Sequence, residues 1–211
     1  MYYSADDGKP YEVNGGYYAV RKKYDCYQRL IEQKYYDADM QPIENTWGYA
    51  SATYQYNDGY GSVTKYYYLL NGEPVVFEEG NSGDTISYPT AENAYQGRQI
   101  FLDKNGNKVT LKSGYAEIRW QTNENGLEIC RDYYNLNSEP VNCIYGFARV
   151  VQAYNERGQI ISKEYYNLKG ELVNNADGCS FVEWQYDENG VLKSNRGYNE
   201  QGQLLWDTES Q

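Results

Sequence analysis

Tyrosine is the residue type best able to carry recognition chemistry in this chain, which contains 27 tyrosines, 4 tryptophans, 4 phenylalanines and no histidine. When the sequence is aligned on a recurring Tyr-Tyr pair, the tyrosines stand in columns. The first column contains Tyr35, Tyr67, Tyr133 and Tyr165, and the second contains Tyr36, Tyr68, Tyr134, Tyr166 and Tyr198. Because neighbouring residues of a strand point to opposite faces, both columns cannot lie in one core.

Two interpretations of these columns remain open from the sequence. Aromatic stripes are usually packing, since tyrosine supplies a large apolar area and keeps its hydroxyl at the wet rim. Alternatively, one column is an open strip whose flat rings bind sugars, quaternary amines or partner side chains. For this second interpretation, the candidate ligand-binding residues are Tyr35, Tyr67, Tyr133 and Tyr165.

Catalytic and metal-binding patterns are lacking in the sequence. Without histidine, neither a Ser-His or Cys-His nucleophile pair nor histidine metal ligation is possible. No glycine-rich phosphate loop or dinucleotide fingerprint is present. Asp37 with Asp39, or Asp6 with Asp7, lack the ligand count of a calcium loop and are interpreted as turn residues. We therefore predict a protein that is not an enzyme and has no cofactor and no metal site.

The four cysteines, Cys26, Cys130, Cys143 and Cys179, do not follow the tyrosine columns. Between Cys130 and Cys143 lies a predicted turn, Asn135 to Ser138. If those two turn residues pair directly, Cys130 and Cys143 stand opposite each other at a separation that a disulfide can span. A Cys130–Cys143 bridge is one candidate, and free thiols are the alternative; a bridge would indicate an oxidising compartment.

The charge of the chain restricts its partners. A net charge of −11 repels nucleic acid and disfavours anionic membrane surfaces. No run of about 18 apolar residues is present, so we predict no membrane insertion. The first residues have neither the basic start nor the apolar run of a signal peptide. They look like the end of a repeat, so we expect this chain to be part of a longer one.

A repeat frame of 32 to 33 residues organises the whole sequence, since Gly16, Gly48, Gly114, Gly146 and Gly178 open similar stretches. We predict one repeat array over residues 1–211. Its units are a partial repeat 1–15, then 16–47, 48–80, a diverged copy 81–113, 114–145, 146–177 and 178–211. Repeat three has lost the Gly-aromatic opening and gained Pro89, so we expect an irregular segment within residues 81–97.

Each repeat has the pattern of a long β-hairpin followed by a short third run. Polar and apolar residues alternate after the opening glycine, which indicates a half-buried strand. Segments such as Asp187 to Gly190 fit a hairpin turn with a bulge glycine, and two such turns occur per repeat. Pro42, Pro74 and Pro140 mark the short run as an edge or connector. The predicted fold is all-β: an elongated array of tandem hairpins, as a β-solenoid or an extended antiparallel sheet.

The Tyr-Tyr-Asp/Asn-x-x-Gly-x-Pro-Val frame, seen as YYDADMQPI and YYNLNSEPV, resembles the aromatic tandem repeats of bacterial surface proteins. These include the YD-type repeats and, more loosely, the choline- and glucan-binding repeats of cell-wall proteins. The resemblance implies a non-catalytic module at the cell surface or outside the cell. We expect it to bind a cell-surface glycan or cell-wall polymer through its tyrosines. The alternative is a structural stalk or a segment that binds protein partners.

Overall fold

In the residues that the structure describes, short alternating segments separated by tight turns form thirteen β-strands that pair in the order of the chain. The structure is a computed structural model and describes residues 10–57, 61–90 and 93–209. No helix occurs in these ranges, and none of their segments is a helix long and apolar enough to cross a membrane. The strands are β1 (Ala19–Tyr24), β2 (Leu30–Tyr36), β3 (Ser51–Asn57), β4 (Ser62–Tyr68), β5 (Gly83–Ser87), β6 (Gln96–Leu102), β7 (Glu117–Thr122), β8 (Glu128–Tyr134), β9 (Arg149–Tyr154), β10 (Ile160–Tyr166), β11 (Phe181–Tyr186), β12 (Leu192–Tyr198) and β13 (Leu204–Glu209).

All the described pairings are antiparallel, which confirms the all-β array of hairpins predicted from the sequence. Within a repeat the hairpin ladder is long. For example, β3 and β4 pair from Ser51 with Tyr68 to Asn57 with Ser62. Between repeats the ladder is shorter, as in β2 and β3, where it runs from Glu32 with Thr53 to Lys34 with Ser51.

Repeats one, four and five each contain three described turns of one kind, where the sequence predicted two. The hairpin turn and the turn after the Tyr-Tyr pair were predicted, and Asp187 to Gly190 is a described example. The third turn ends on the glycine that opens the next repeat, as in Asn45 to Gly48. Gly48 has a φ of 81° and Gly190 a φ of 84°. Both lie in the left-handed region, where a residue without Cβ is favoured.

An aspartate or asparagine at the first turn position holds many of these turns closed. The Asp187 Oδ1 accepts hydrogen bonds from the backbone N–H groups of Asn189 (2.9 Å) and Val191 (2.8 Å). The Val191 hydrogen bond is the largest cause that lowers the pKa of the Asp187 carboxyl. Because the side chain satisfies two backbone donors, the polar turn residues act locally and need no ligand.

The chain divides into two compact units, residues 1–87 with 101–109 and residues 88–100 with 110–211. The division falls inside repeat three, the diverged copy. There β5 ends at Ser87, and Ala94 and Tyr95 both have a positive φ, of 54° and 59°. The described part of the segment expected to be irregular thus contains a strand followed by an irregular loop; residues 91–92 lie outside the described residues.

Tyrosine hydroxyls connect successive repeats within each unit. In the first unit the Tyr56 hydroxyl donates to the Leu30 carbonyl (3.1 Å), and in the second the Tyr154 hydroxyl donates to the Glu128 carbonyl (2.8 Å). In both cases the acceptor belongs to the second strand of the preceding repeat. The tyrosine at this position therefore secures the shorter ladder between repeats.

Candidate binding surface

The two tyrosine columns lie on opposite faces of the sheet, as the alternation of a strand requires. In the hairpin of repeat five, Tyr165 is opposite Val150 and Tyr166 is opposite Arg149. The face that carries the first column is called here the ladder face. The face that carries the second column is called the charged face, because arginine and carboxylate pairs occupy it in the second unit.

On the ladder face the aromatic rings form a continuous packed row within each unit. In the first unit, successive ring centroids from Tyr17 through Tyr35, Tyr49 and Tyr67 to Phe77 are 4.7, 5.6, 4.8 and 5.2 Å apart. In the second unit the corresponding distances from Tyr115 through Tyr133 and Phe147 to Tyr165 are 4.8, 5.7 and 4.9 Å. These separations and the tilted or edge-on geometries are those of stabilising aromatic pairs.

The sequence analysis did not predict the aromatic rings that pack between the tyrosines of the first column. Tyr49, Tyr115 and Phe147 each directly follow a repeat-opening glycine, and their rings fill the spaces between members of the first column. The available signal was the Gly-aromatic opening itself, which has the same period as the tyrosine pair. Repeats one, two, four and five each contribute two rings to the row in this way.

Burial corrects the expectation of an open tyrosine strip. Tyr35 is 4% exposed and Tyr133 is 8% exposed, while Tyr67 and Tyr165 are half-buried. Both rings pack against neighbouring rings, Tyr35 against Tyr17 at 4.7 Å and Tyr133 against Phe147 at 5.7 Å. The first column is thus mainly packing at Tyr35 and Tyr133.

The environment of the ladder hydroxyls favours their neutral form. Burial raises the pKa of Tyr133 to about 12 and also raises the pKa values of Tyr35 and Tyr165. A hydrogen bond with Tyr49 adds to the effect at Tyr35. These hydroxyls therefore remain protonated at neutral pH and act as neutral hydrogen-bonding groups.

A recess of about 330 Å³ opens on the ladder face of the second unit. Arg131 at its wall is paired with Glu128, through Nε to Oε1 (2.9 Å) and Nη2 to Oε2 (2.7 Å). Lys163 lies on the next repeat, at the position equivalent to Arg131. The lining residues are Glu128, Arg131, Tyr133, Phe147, Val150, Gln152, Lys163 and Tyr165. Sequence reasoning did not single out these cations, although both stand two residues before the first tyrosine of the pair.

A wider groove of about 460 Å³ lies on the charged face of the same unit. Tyr134, Pro140 and Tyr166 are among its lining residues. Arg149 also lines it and is held by Asp132 through two hydrogen bonds of 2.6 and 3.0 Å. Because this arginine is already paired in both branches of its fork, the groove offers no free cation at Arg149.

Glu117 is the centre of a buried ionic cluster on the charged face and is itself 0% exposed. Arg98 donates to both of its oxygens (2.7 and 2.9 Å), and Arg119 donates to Oε1 (2.6 Å). The Ser138 hydroxyl donates to Oε2 at 2.9 Å. The cluster ties strands β6 and β7 to the turn that follows β8.

The four cysteines are all free thiols, so the Cys130–Cys143 bridge is not formed. Cys130 is opposite Gln121 on one side and Val151 on the other. The short run after Ser138 pairs with β8 only at its end, where Pro140 bridges Tyr134. From Asp132 back to Cys130, the same edge of β8 is paired with β9. Cys143 therefore cannot lie beside Cys130.

The acidic pair considered for calcium forms a turn. The Asp37 Oδ1 accepts hydrogen bonds from the backbone N–H groups of Asp39 (2.9 Å) and Gln41 (2.8 Å). Among the described residues, no group of three or more potential ligand side chains is positioned to hold a metal ion. Asp6 and Asp7 lie outside the described residues.

Comparison with known proteins gives structural likenesses only. No family model matches the chain, and no curated protein is significantly similar in sequence. Similar solved structures include the "Crystal Structure of TcdB2-TccC3-TEV" (11% identity, TM-score 0.27) and the "Structure of Photorhabdus luminescens Tc holotoxin pore, Mutation TccC3-D651A" (11% identity, TM-score 0.24). Each likeness covers 91% of this chain, but 11% and 13% of the respective toxin chains.

Proposed function

We propose that this chain is a non-catalytic repeat segment with a structural or protein-binding role, belonging to a longer bacterial surface protein. The observation that supports it best is the packing of the ladder face. Rings that could have formed an open sugar-binding strip are used to join one repeat to the next. Burial of Tyr35 and Tyr133 removes the basis for preferring a glycan ligand at the first column.

The supporting features from the sequence concern chemistry and location. A chain without histidine has few routes to nucleophilic or acid–base catalysis near neutral pH. A cell-surface or extracellular location, and attachment to other domains, follow from the resemblance to aromatic tandem repeats of bacterial surface proteins. Together these features favour a spacer or docking segment over an enzyme.

A change in repeat number tests the proposal. Deletion of residues 146–177 removes one period and joins Tyr145 to Gly178, which preserves the turn that begins at Cys143. Because a repeat depends chiefly on its neighbours, the shortened protein should still unfold cooperatively, with a smaller urea m-value. The matched control is deletion of residues 146–161, half a period, which breaks strand direction and should prevent cooperative folding.

A glycan array probed with the full chain tests the alternative function, which is sugar binding. We expect no saturable binding to any sugar on the array. The proposal would be overturned by micromolar binding to one glycan that is lost in a Tyr67→Ala or Tyr165→Ala variant with unchanged unfolding. If the variant that lacks residues 146–177 failed to fold, the proposed role as a structural repeat would be contradicted.

A further inference from the structure

The recess on the ladder face of the second unit combines an apolar floor with charged walls. Val150, Tyr133 and Phe147 at its floor are 7%, 8% and 8% exposed. Val150 is opposite Arg131 on one neighbouring strand and opposite Tyr165 on the other. Arg131 and Lys163 lie on the two strands that flank β9, and these strands are about 10 Å apart. This spacing suits one or two side chains of a partner.

The two cations of the recess differ in how their charge is neutralised. Arg131 is held by both oxygens of Glu128, and Gln152 also donates to Glu128. Lys163 is opposite Gln152 on β9 and Val182 on β11, so neither strand places a carboxylate beside it. In the described part of the chain, Lys163 makes no ion pair, although it is half-buried.

The equivalent lysine of the first unit has an acidic cross-strand neighbour. Lys65 occupies the same column, two residues before Tyr67, and is directly opposite Asp84 on β5. Asp84 is 6% exposed. At Lys163 the corresponding cross-strand positions hold a glutamine and a valine. A half-buried lysine with no carboxylate at its cross-strand positions, next to an apolar floor, is a site where an incoming carboxylate is favoured.

We propose that this recess binds an acidic–apolar segment of a partner polypeptide, with the carboxylate on Lys163 and the adjacent apolar side chain on Val150 and Phe147. The inference rests on the protein-binding role proposed above and gives it a place and a partner chemistry. Glu128 at the far wall limits the recess to a single negative charge, because a second anion would meet its carboxylate. The net charge of −11 further disfavours polyanions.

Titration with a minimal probe tests this site directly. N-acetylphenylalanine carries one carboxylate and one apolar ring, and its uncharged amide is the matched probe. Nuclear magnetic resonance of the ¹⁵N-labelled full chain should show saturable shifts at β8, β9 and β10 with the acid, and at least about tenfold weaker binding of the amide. Lys163→Gln should weaken binding of the acid by about tenfold.

Lys65→Gln is the control variant, since it removes a lysine from the same column without touching the recess. It should leave the affinity for the acid unchanged. Equal binding of acid and amide, equal weakening by Lys65→Gln, or shifts confined to the charged face would overturn the proposal. Tighter binding of inorganic phosphate or of a galacturonate trimer than of the peptide-like acid would reject a polypeptide partner. These measurements use the undeleted chain, so their outcome is independent of the repeat-deletion test.

Discussion

Ser138 and Glu117 show at the level of single residues how a departure from the repeat pattern is accommodated. Most other second turns end on glycine, whereas Ser138 holds a φ of 62° in the left-handed region. The sequence alone indicates that serine disfavours this conformation. The structure adds the compensation, because the serine hydroxyl donates to the buried Glu117 carboxylate.

Replacing the left-handed residue by glycine should therefore have opposite consequences at two equivalent turns. Met40 occupies the same turn position in repeat one, with a φ of 61°, and its side chain is 38% exposed. Met40→Gly should raise the free energy of unfolding by about 0.5–1 kcal/mol, since strain is relieved. Ser138→Gly should lower it by about 1 kcal/mol, because the charge-assisted hydrogen bond is lost. Urea unfolding of both variants measures these changes. Stabilisation by Ser138→Gly would contradict the prediction.

Removal of the Glu117 carboxylate should destabilise the second unit. Glu117→Ala loses the hydrogen bonds from Arg98, Arg119 and Ser138. The two arginines are 44% and 40% exposed and can turn to water, so we expect a loss of about 1.5–3 kcal/mol rather than the cost of a stranded buried charge. Arg98→Ala should cost less, since Arg119 remains paired. Denaturant unfolding measures both, and equal losses would show that the cluster is not centred on Glu117.

At the scale of the elements, the hairpins follow from the sequence because their signals are local. Alternation, the Asn-x-x-Gly segments and the Tyr-Tyr pair each specify strand or turn within a few residues. The third turn escaped prediction because its first residue is Phe77, Leu111 or Cys143 in three repeats, which lacks the side-chain oxygen of Asn45. Its glycine was instead interpreted as the start of a strand.

The exposure of the tyrosine column could not be predicted in the same way. Periodicity places Tyr35 and Tyr133 on one face, but their burial depends on which rings fill the spaces between them. Those rings come from the residue after the opening glycine, on the neighbouring strand. The candidate recess likewise depends on the cross-strand neighbours of Lys163, which only the register between repeats defines.

Truncation of two aromatic residues of the second unit should separate packing from surface display. Tyr133 is 8% exposed, whereas Tyr145 is 47% exposed and stacks on Phe147 at 6.3 Å. Tyr133→Ala should lower the free energy of unfolding by about 3–5 kcal/mol, and Tyr145→Ala by less than about 1 kcal/mol. Thermal and urea unfolding provide the measurement. Similar losses for both would mean that the packed row is not the main source of stability on this face.

For the molecule as a whole, the tyrosines link stability to alkaline pH. Burial raises the pKa of Tyr133 to about 12, and a hydrogen bond to Glu164 raises the pKa of Tyr166 to about 12. In the unfolded chain a tyrosine pKa is about 10. The folded protein therefore binds more protons between these values, and its stability must fall as the pH rises from about 10 towards 12.

The urea midpoint should accordingly be constant from pH 7 to 9 and decrease from pH 10 upward. Tyr166→Phe should reduce this alkaline loss because the residue no longer ionises. Tyr27→Phe, at a side chain that is 73% exposed, is the control and should leave the loss unchanged. Absorbance at 295 nm reports tyrosine ionisation alongside unfolding, and ionisation of all 27 tyrosines near pH 10 without unfolding would contradict the expectation.

Each described strand pairs with its predecessor and successor in the chain, and this order also has a consequence for biogenesis. No strand has to wait for a distant segment, since its partners lie within the same or the adjacent repeat. Pairings of low sequence separation form quickly and carry a small loop-closure penalty. A nascent chain emerging from a ribosome or an export channel can therefore fold hairpin by hairpin, each finished repeat serving as a template for the next, before the end of the polypeptide has been made.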